Sequence, residues 1–276
     1  MRVAEPAAAG PDRLDAATIT EILTLGEISV TGRISDASNL TLLGAVELDG
    51  AALTCVYKPI RGERPLWDFP DGTLAGREVA ARRVAVAAGW DCVPTTVLRP
   101  GPFGEGMVQV WIDTPDDAPE LVDLVAARSV PPGWLPVLRA VDRDGSDVVL
   151  AHADDPDLAV LAGFDLVINN ADRKGSHVLS PRDGQVYGVD HGLAFHVENK
   201  LRTILWGWSG QPLPDRVVEG LDRLTTSLRG ELATDLEQYL SVTEIGILTR
   251  RVGRLRRYPE YPVTPRNRTP IPWPPL

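Results

Sequence analysis

The chain is poor in cysteine. Cys55 and Cys92 stand alone among 276 residues, and neither belongs to a Cys-x-x-Cys pair. That excludes a disulfide framework and a cysteine-built zinc site. It leaves two small, buried side chains in a reducing compartment, so the cytoplasm is the expected location. Long apolar runs are missing as well. No stretch approaches the roughly 18 consecutive apolar residues of a spanning helix, so no membrane span is expected. The first ten residues lack the build of a secretory signal. Positive charge is scarce, with 28 Lys+Arg against 38 Asp+Glu and a formal net charge of −10. A broad basic face for nucleic acid is therefore not expected, and an anionic membrane would repel such a surface. What remains is an ordinary globular composition, 43% apolar and 24% charged. The length suits one large domain or two lobes with a sizeable core.

Patterning along the chain divides it. Residues 1–16 are rich in Ala, Pro, Gly and Asp and are expected to be flexible. A helix is predicted from Asp15, with Ile19, Ile22 and Leu23 at helical spacing. Residues 27–34 alternate polar and apolar, 35–39 carry turn chemistry, and 40–48 read as a return strand. Asp49-Gly50 then turns the chain into a third strand, 51–57. The result is a three-stranded meander over 27–58, ending at Lys58-Pro59. After a loop over 60–73, residues 74–88 are predicted helical, with Gly89 as the stop. Strands follow at 93–98 and 107–112, then a Pro/Asp-rich break over 113–119. Beyond it the pattern is mostly helical, with candidates at 119–129, 155–168, 214–229, 230–240 and 242–257. A hairpin over 177–190 is expected to turn at Asp183-Gly184. The Pro-rich tail, 258–276, is expected to wrap or extend without regular structure. The parts are thus a flexible N-terminus (1–16), a sheet-bearing lobe (17–113), a mostly helical lobe (114–257) and a tail (258–276). An antiparallel sheet carrying a helix, followed by a helical half, matches the α+β, two-lobed layout of kinases.

The densest polar chemistry is Asn169-Asn170-Ala171-Asp172-Arg173-Lys174-Gly175-Ser176-His177, between an apolar run and the hairpin. Asp190-His191-Gly192 follows the hairpin. Phosphoryl transfer needs one residue to orient the attacking hydroxyl and others to hold the metal that bridges the phosphates. Protein kinases place a catalytic Asp five positions before a metal-binding Asn, then an Asp-x-Gly. Asp172 stands five positions before His177, and Asp190 opens the second motif. Upstream, Lys58 ends a strand, as a phosphate-pairing lysine should. Glu78 is the one acid between Asp71 and Asp91 that could hold it. The hairpin tip, including Ser38 and Asn39, could cover phosphates with N–H groups and a hydroxyl. It lacks the GxGxxG of protein kinases. Gln109, Val110 and Trp111 lie on a candidate linker strand whose backbone could read an adenine edge.

Tyr57-Lys58-Pro59, Asp172-Arg173-Lys174 and Asp190-His191-Gly192 resemble the phosphatidylinositol 3-/4-kinase-related branch of the kinase superfamily. More narrowly, the chain resembles small actinobacterial phosphatidylinositol kinase-like proteins, the SCO1664 family. The runs Arg61 to Leu74 (RGERPLWDFPDGTL) and Leu205 to Leu213 (LWGWSGQPL) carry that likeness, which covers roughly residues 20–260. The resemblance implies a bilobal, ATP-dependent phosphotransferase using Mg²⁺ or Mn²⁺. In it, Asp172 would be the catalytic aspartate, Asp190 the metal-binding acid and Lys58 the contact to the ATP phosphates. Two positions depart from the family's pattern: Lys174 replaces the usual His, and His177 replaces the usual metal-binding Asn. On this reading Lys174 neutralises charge on the transferred phosphoryl group and His177 joins Asp190 at the metal. Imidazole suits Mn²⁺ better than Mg²⁺, which prefers oxygen. The phosphate acceptor is left open: a protein hydroxyl, the protein itself or a small molecule. Residues 193–213 hold only Lys200 and Arg202 as cations, beside two tryptophans, which points away from an inositol lipid.

Blander roles compete. Asp172 and Lys58 could be surface charges, and Glu78 could pair along its helix with Arg82. His177 could be a hydrogen-bonded structural residue, and Trp206 and Trp208 core anchors. The arginines at 250, 251, 254, 256 and 257 complement a helix C-terminus or form a docking patch for an acidic partner. Two rival functions follow. One is a nucleotide-binding pseudokinase that regulates through its shape. The other is a metallohydrolase using His177, Asp190 and His191 without ATP.

Overall fold

The computed structural model describes residues 14–34, 39–70, 72–115, 117–181, 184–265 and 267–276. The first described element is helix α1 (Ala16–Leu25), capped by the Asp15 carboxylate, which accepts the Thr18 N–H. Strands β1 (Glu27–Arg33), β2 (Leu42–Leu48) and β3 (Ala51–Pro59) follow as the expected antiparallel meander. Helix α2 (Leu74–Ala88) comes next, then β4 (Thr96–Gly101) and β5 (Gly104–Val110). The five strands form one sheet in the order β1-β2-β3-β5-β4. Its apolar face packs on α1 through Ile22, Leu23, Val46, Leu53 and Val108.

Helix α2 is closed at both ends by local chemistry. The Thr73 hydroxyl accepts the Gly76 N–H, and the Glu63 carboxylate takes the N–H groups of Leu74 and Ala75. Gly89 ends the helix at φ 71°, a left-handed conformation that glycine adopts without penalty. The helix is buried nearly all round. Ala75 and Val79 meet Met107 of the sheet, while Ala81, Val84 and Ala88 join the larger core of the second half. It therefore fixes one half of the molecule against the other.

The second half is less helical than expected. Residues 119–129, predicted as a helix, contain strand β6 (Val122–Ala126). Two more strands, β7 (Trp134–Val141) and β8 (Asp147–Ala153), complete an antiparallel sheet in the order β6-β8-β7. Periodicity cannot separate a short apolar run such as Val122 to Ala126 from a helix segment. The turn between β7 and β8 holds Asp144-Gly145, with Gly145 left-handed at φ 82°. In the first sheet, β4 and β5 are shifted from their expected positions because the chain turns tightly between Gly101 and Gly104.

The remaining helices fall where expected: α3 (Pro156–Ile168), α4 (Asp215–Ser227), α5 (Glu231–Leu236) and α6 (Val242–Arg257). Helix α6 opens on a full capping box between Ser241 and Glu244. The other Glu244 oxygen accepts from buried Arg77 of α2 at 2.6 Å, tying the two helices together. Strands β9 (Val178–Leu179) and β10 (Tyr187–Gly188) make the short hairpin after the polar loop. Of its expected turn, Gly184 is left-handed at φ 80°, and Asp183 lies outside the described residues. Among its described residues the tail has no helix or strand, and it runs back over the second half.

Candidate functional site

A cavity of about 670 Å³ lies between the five-stranded sheet and the second half. Lys58, at the end of β3, reaches into it and bonds two carboxylates. Its Nζ is 2.7 Å from Glu78 Oε1 and 3.1 Å from Asp190 Oδ1. The ion pair expected from sequence therefore exists, with Asp190 as an unforeseen third member. The other Glu78 oxygen accepts the backbone N–H of His191 at 2.8 Å. One buried carboxylate thus joins the strand-end lysine to the Asp190-His191-Gly192 loop. Asp190 sits at φ 61°, a left-handed conformation that few non-glycine residues adopt and Asp tolerates better than most. Its side chain is half-exposed.

The charges respond to this crowding. Burial alone would push Lys58 down, but Asp190 and Glu78 outweigh it and hold the ammonium above its usual value. Lys58 in turn holds Asp190 below the usual carboxylate range, against the effect of burial. Burial pushes Glu78 up, partly countered by Lys58.

Asp172 and Lys174 line the same cavity and pair at 3.0 Å. Burial raises Asp172 above the ordinary aspartate value, and Lys174 opposes the rise. Their loop is held at almost every residue. Asn169 ends α3 in a left-handed turn, and its amide donates to the carbonyls of His196 and Glu198. Asn170 accepts the Asp172 N–H, and Ala171 donates to the Leu193 carbonyl.

His177 also lines the cavity, with Nε2 at 3.5 Å from Asp190 Oδ2. Burial lowers its pKa to about 4, so the imidazole is neutral at pH 7. Its Nδ1 is buried without a hydrogen-bond partner among the described residues. A neutral imidazole whose Nε2 lies beside an ionised carboxylate oxygen offers a nitrogen and an oxygen donor that fit a divalent cation. Among the described residues no cluster of three or more His, Cys, Asp or Glu is arranged around one point. The protein would thus supply few ligands, the usual case where nucleotide phosphates and water complete the shell.

Beneath this cluster lies a second that sequence reasoning missed. Arg173 is fully buried and paired with Asp165 of α3 by two bonds, at 2.9 and 3.0 Å. Its guanidinium also donates to the carbonyls of His177 and Val189 and faces His191 Nε2 at 2.8 Å. Burial, with Arg173 adding to it, lowers His191 well below its usual pKa. His191 therefore belongs to the scaffold, which removes it from the ligand set of the metallohydrolase reading. One sequence signal pointed here: Asp165 is a lone charge inside a run of apolar helix residues.

Other expected residues fall elsewhere. Asn39 lines the cavity, but its side chain accepts the Arg64 N–H and pins the hairpin to the following loop. Ser38 lies outside the described residues. Gln109, Val110 and Trp111 do not line the cavity. The Gln109 amide donates to Thr96, and the N–H groups of Val110 and Trp111 donate to Thr95 and Thr54. Those two N–H groups are thus already paired within the fold. Trp206 and Trp208 are buried, their indole N–H groups bonded to Pro270 and Asp154, as core anchors would be. In the arginine run, Arg251 donates to the carbonyls of Val167 and His196, a structural task.

No family model matches the chain. A relative, Protein Rv2133c of Mycobacterium tuberculosis, is 53% identical over 261 residues, covering 92% of this chain and 94% of the relative. The chain belongs to the Rv2133c family. That name carries no activity, so the fold must speak. The chain resembles the solved structure of the Golgi casein kinase with a TM-score of 0.52 at 14% identity, over 88% of this chain and 74% of that one. The Helicobacter pylori proinflammatory kinase CtkA follows with a TM-score of 0.47 at 10% identity, over 86% and 94%. The Rv2133c-family chain thus has an α+β, kinase-like fold, and among its described residues no helix is long and apolar enough to cross a membrane.

Proposed function

We propose that the protein is an ATP- and divalent-metal-dependent phosphotransferase of the atypical kinase type, allied to the phosphatidylinositol 3-/4-kinase-related branch and the SCO1664 family. The reading rests on one observation. Lys58 bridges Glu78 and Asp190 inside a cavity that also holds Asp172. A phosphate-binding lysine, its anchoring acid and two further acids at one cleft have a joint purpose in phosphoryl transfer.

In this reading Lys58 binds phosphate oxygens, kept in place by Glu78. Asp190 and His177 would hold the cation, Mg²⁺ or Mn²⁺, whose charge would offset that of the phosphates. Asp172 orients the acceptor hydroxyl and takes its proton. The acceptor oxygen bonds to the γ-phosphorus while the bond to the bridging oxygen breaks, leaving ADP. Lys174 faces the negative charge of the transferred group. Positioning and fixed charge supply most of the rate.

A pseudokinase is the second reading, favoured by His177 at the position where kinases carry a metal-binding Asn. Incubation with γ-labelled ATP and Mg²⁺ or Mn²⁺ separates the two. Transfer or hydrolysis supports the enzyme, and nucleotide-induced thermal stabilisation without either supports the regulator. Asp172→Asn should lower turnover by about 10²- to 10⁴-fold, the usual worth of a positioned acid–base group, while ATP still stabilises the fold. Unchanged turnover in that variant would remove Asp172 from the mechanism.

A further inference from the structure

The end of the tail stands against the catalytic loop. The Gly175 N–H donates to the Pro275 carbonyl at 2.8 Å. Pro274 and Leu276 line the cavity together with Asp172, Lys174 and Ser176. Leu276 packs on Gly175 so closely that a Cβ there would lie 2.5 Å from its Cδ2. The residue three positions after Asp172 is thus a glycine that makes room for the tail.

The approach to this contact is built in. Leu213 donates to the Pro259 carbonyl at 2.8 Å, and Tyr261 to that of Gln211 at 2.9 Å. Pro270 accepts from both the Thr203 N–H and the Trp206 indole. Tyr261 and Ile271 are buried in the large core. A segment fastened at intervals, with buried anchors, is a wall of the cleft and not a loose end lying across it.

Resting on the phosphotransferase reading, we propose that residues 274–276 form the acceptor side of the cleft and restrict the acceptor to a compact, small-molecule hydroxyl compound. An acceptor oxygen must come within about 3 Å of Asp172. An extended polypeptide passing there would need a free lane beside the loop, with hydrogen-bonding partners for its own backbone. The tail occupies that lane and takes the Gly175 N–H for itself. The triphosphate must share the space that the tail leaves, a cavity of about 670 Å³. Such a pocket admits a small molecule and excludes a chain.

The test uses γ-labelled ATP with Mn²⁺ and a degenerate peptide library carrying Ser, Thr and Tyr. It compares the full chain, a chain ending at Trp273 and the milder Leu276→Gly variant, each checked for cooperative thermal unfolding. The full chain should hydrolyse ATP and leave the library unlabelled. The shortened chain should label it at least tenfold more, with Leu276→Gly between. Efficient labelling by the full chain overturns the proposal. So does a shortened chain that folds and hydrolyses ATP yet labels no more than the full chain. If ATP neither stabilises nor is consumed by any of the three, the phosphotransferase reading itself fails and this inference falls with it.

Discussion

Two charged clusters lie on either side of the Asp190-His191-Gly192 loop, and they are built from similar residue types to opposite ends. The sealed one contains Asp165, Arg173, Asn170 and His191, all without solvent exposure. Both Asp165 oxygens are bonded, and the guanidinium donates to a carboxylate, two carbonyls and a ring nitrogen. The open one contains Lys58, Asp190, His177, Asp172 and Lys174, all lining the cavity. Its side chains reach solvent, Asp190 half-exposed and Lys58, Asp172 and Lys174 partly so. Each cluster leaves one imidazole nitrogen without a hydrogen bond among the described residues, Nδ1 of His177 here and Nδ1 of His191 in the sealed one. Charged groups bonded to one another away from solvent fix geometry, whereas charged groups that line an open cavity can meet a ligand. The difference separates what holds the site from what would work in it.

The sharpest way to break the comparison is to unpair the sealed cluster. Asp165→Ala would leave the Arg173 guanidinium buried without its carboxylate. Removal of one partner of a buried ion pair costs about 3–5 kcal/mol. Chemical denaturation should show a loss of that size, together with loss of the loop geometry around Asp172. A loss below about 1 kcal/mol, the range of surface pairs, would mean that the cluster is not a scaffold.

The two clusters also differed in how well the sequence announced them. Lys58, Glu78, Asp172 and Asp190 were legible because their chemistry recurs in motif order along the chain. Even the pairing of Lys58 with Glu78 followed by elimination of other acids. The Arg173 hub was not legible, since nothing in Asp-Arg-Lys says that the arginine turns inward while its neighbours face the cavity. That orientation depends on Asp165 arriving one helix earlier, a tertiary fact. The same limit explains the second sheet. The meander over 27–58 carries alternation and an Asp-Gly turn, whereas β6 is a short run whose identity is fixed only by pairing with β8. The end of β5 shows the same limit: nothing in its sequence says that the N–H groups of Val110 and Trp111 go to Thr95 and Thr54.

Acid should sharpen the comparison next. The His177 pKa is held at about 4 by burial, against roughly 6.5 for a free histidine. A group lowered in the fold contributes stability that is complete above the unfolded value and lost as pH falls through the folded one. The window therefore runs from about pH 6.5 down to 4, and the gap is worth on the order of 3 kcal/mol. In EDTA, the wild type should lose more stability than His177→Asn across that window, and the two should run in parallel above pH 7. Parallel curves throughout would show that His177 is not held neutral by its surroundings.

The smallest effect belongs to Lys174, whose removal should be felt in charge and not in stability. Lys174→Met deletes a partly exposed pair, so unfolding should change by less than about 1 kcal/mol. Burial already raises Asp172, and Lys174 is the first group opposing that rise. Without the ammonium, the Asp172 carboxyl should titrate at higher pH. Carboxyl-carbon NMR of Asp172 reads this directly in the absence of nucleotide, and the acidic limb of a turnover profile should move the same way. An Asp172 titration that stays in place would mean that Lys174 does not tune the acid it touches, and that its charge is reserved for the transferred phosphoryl group.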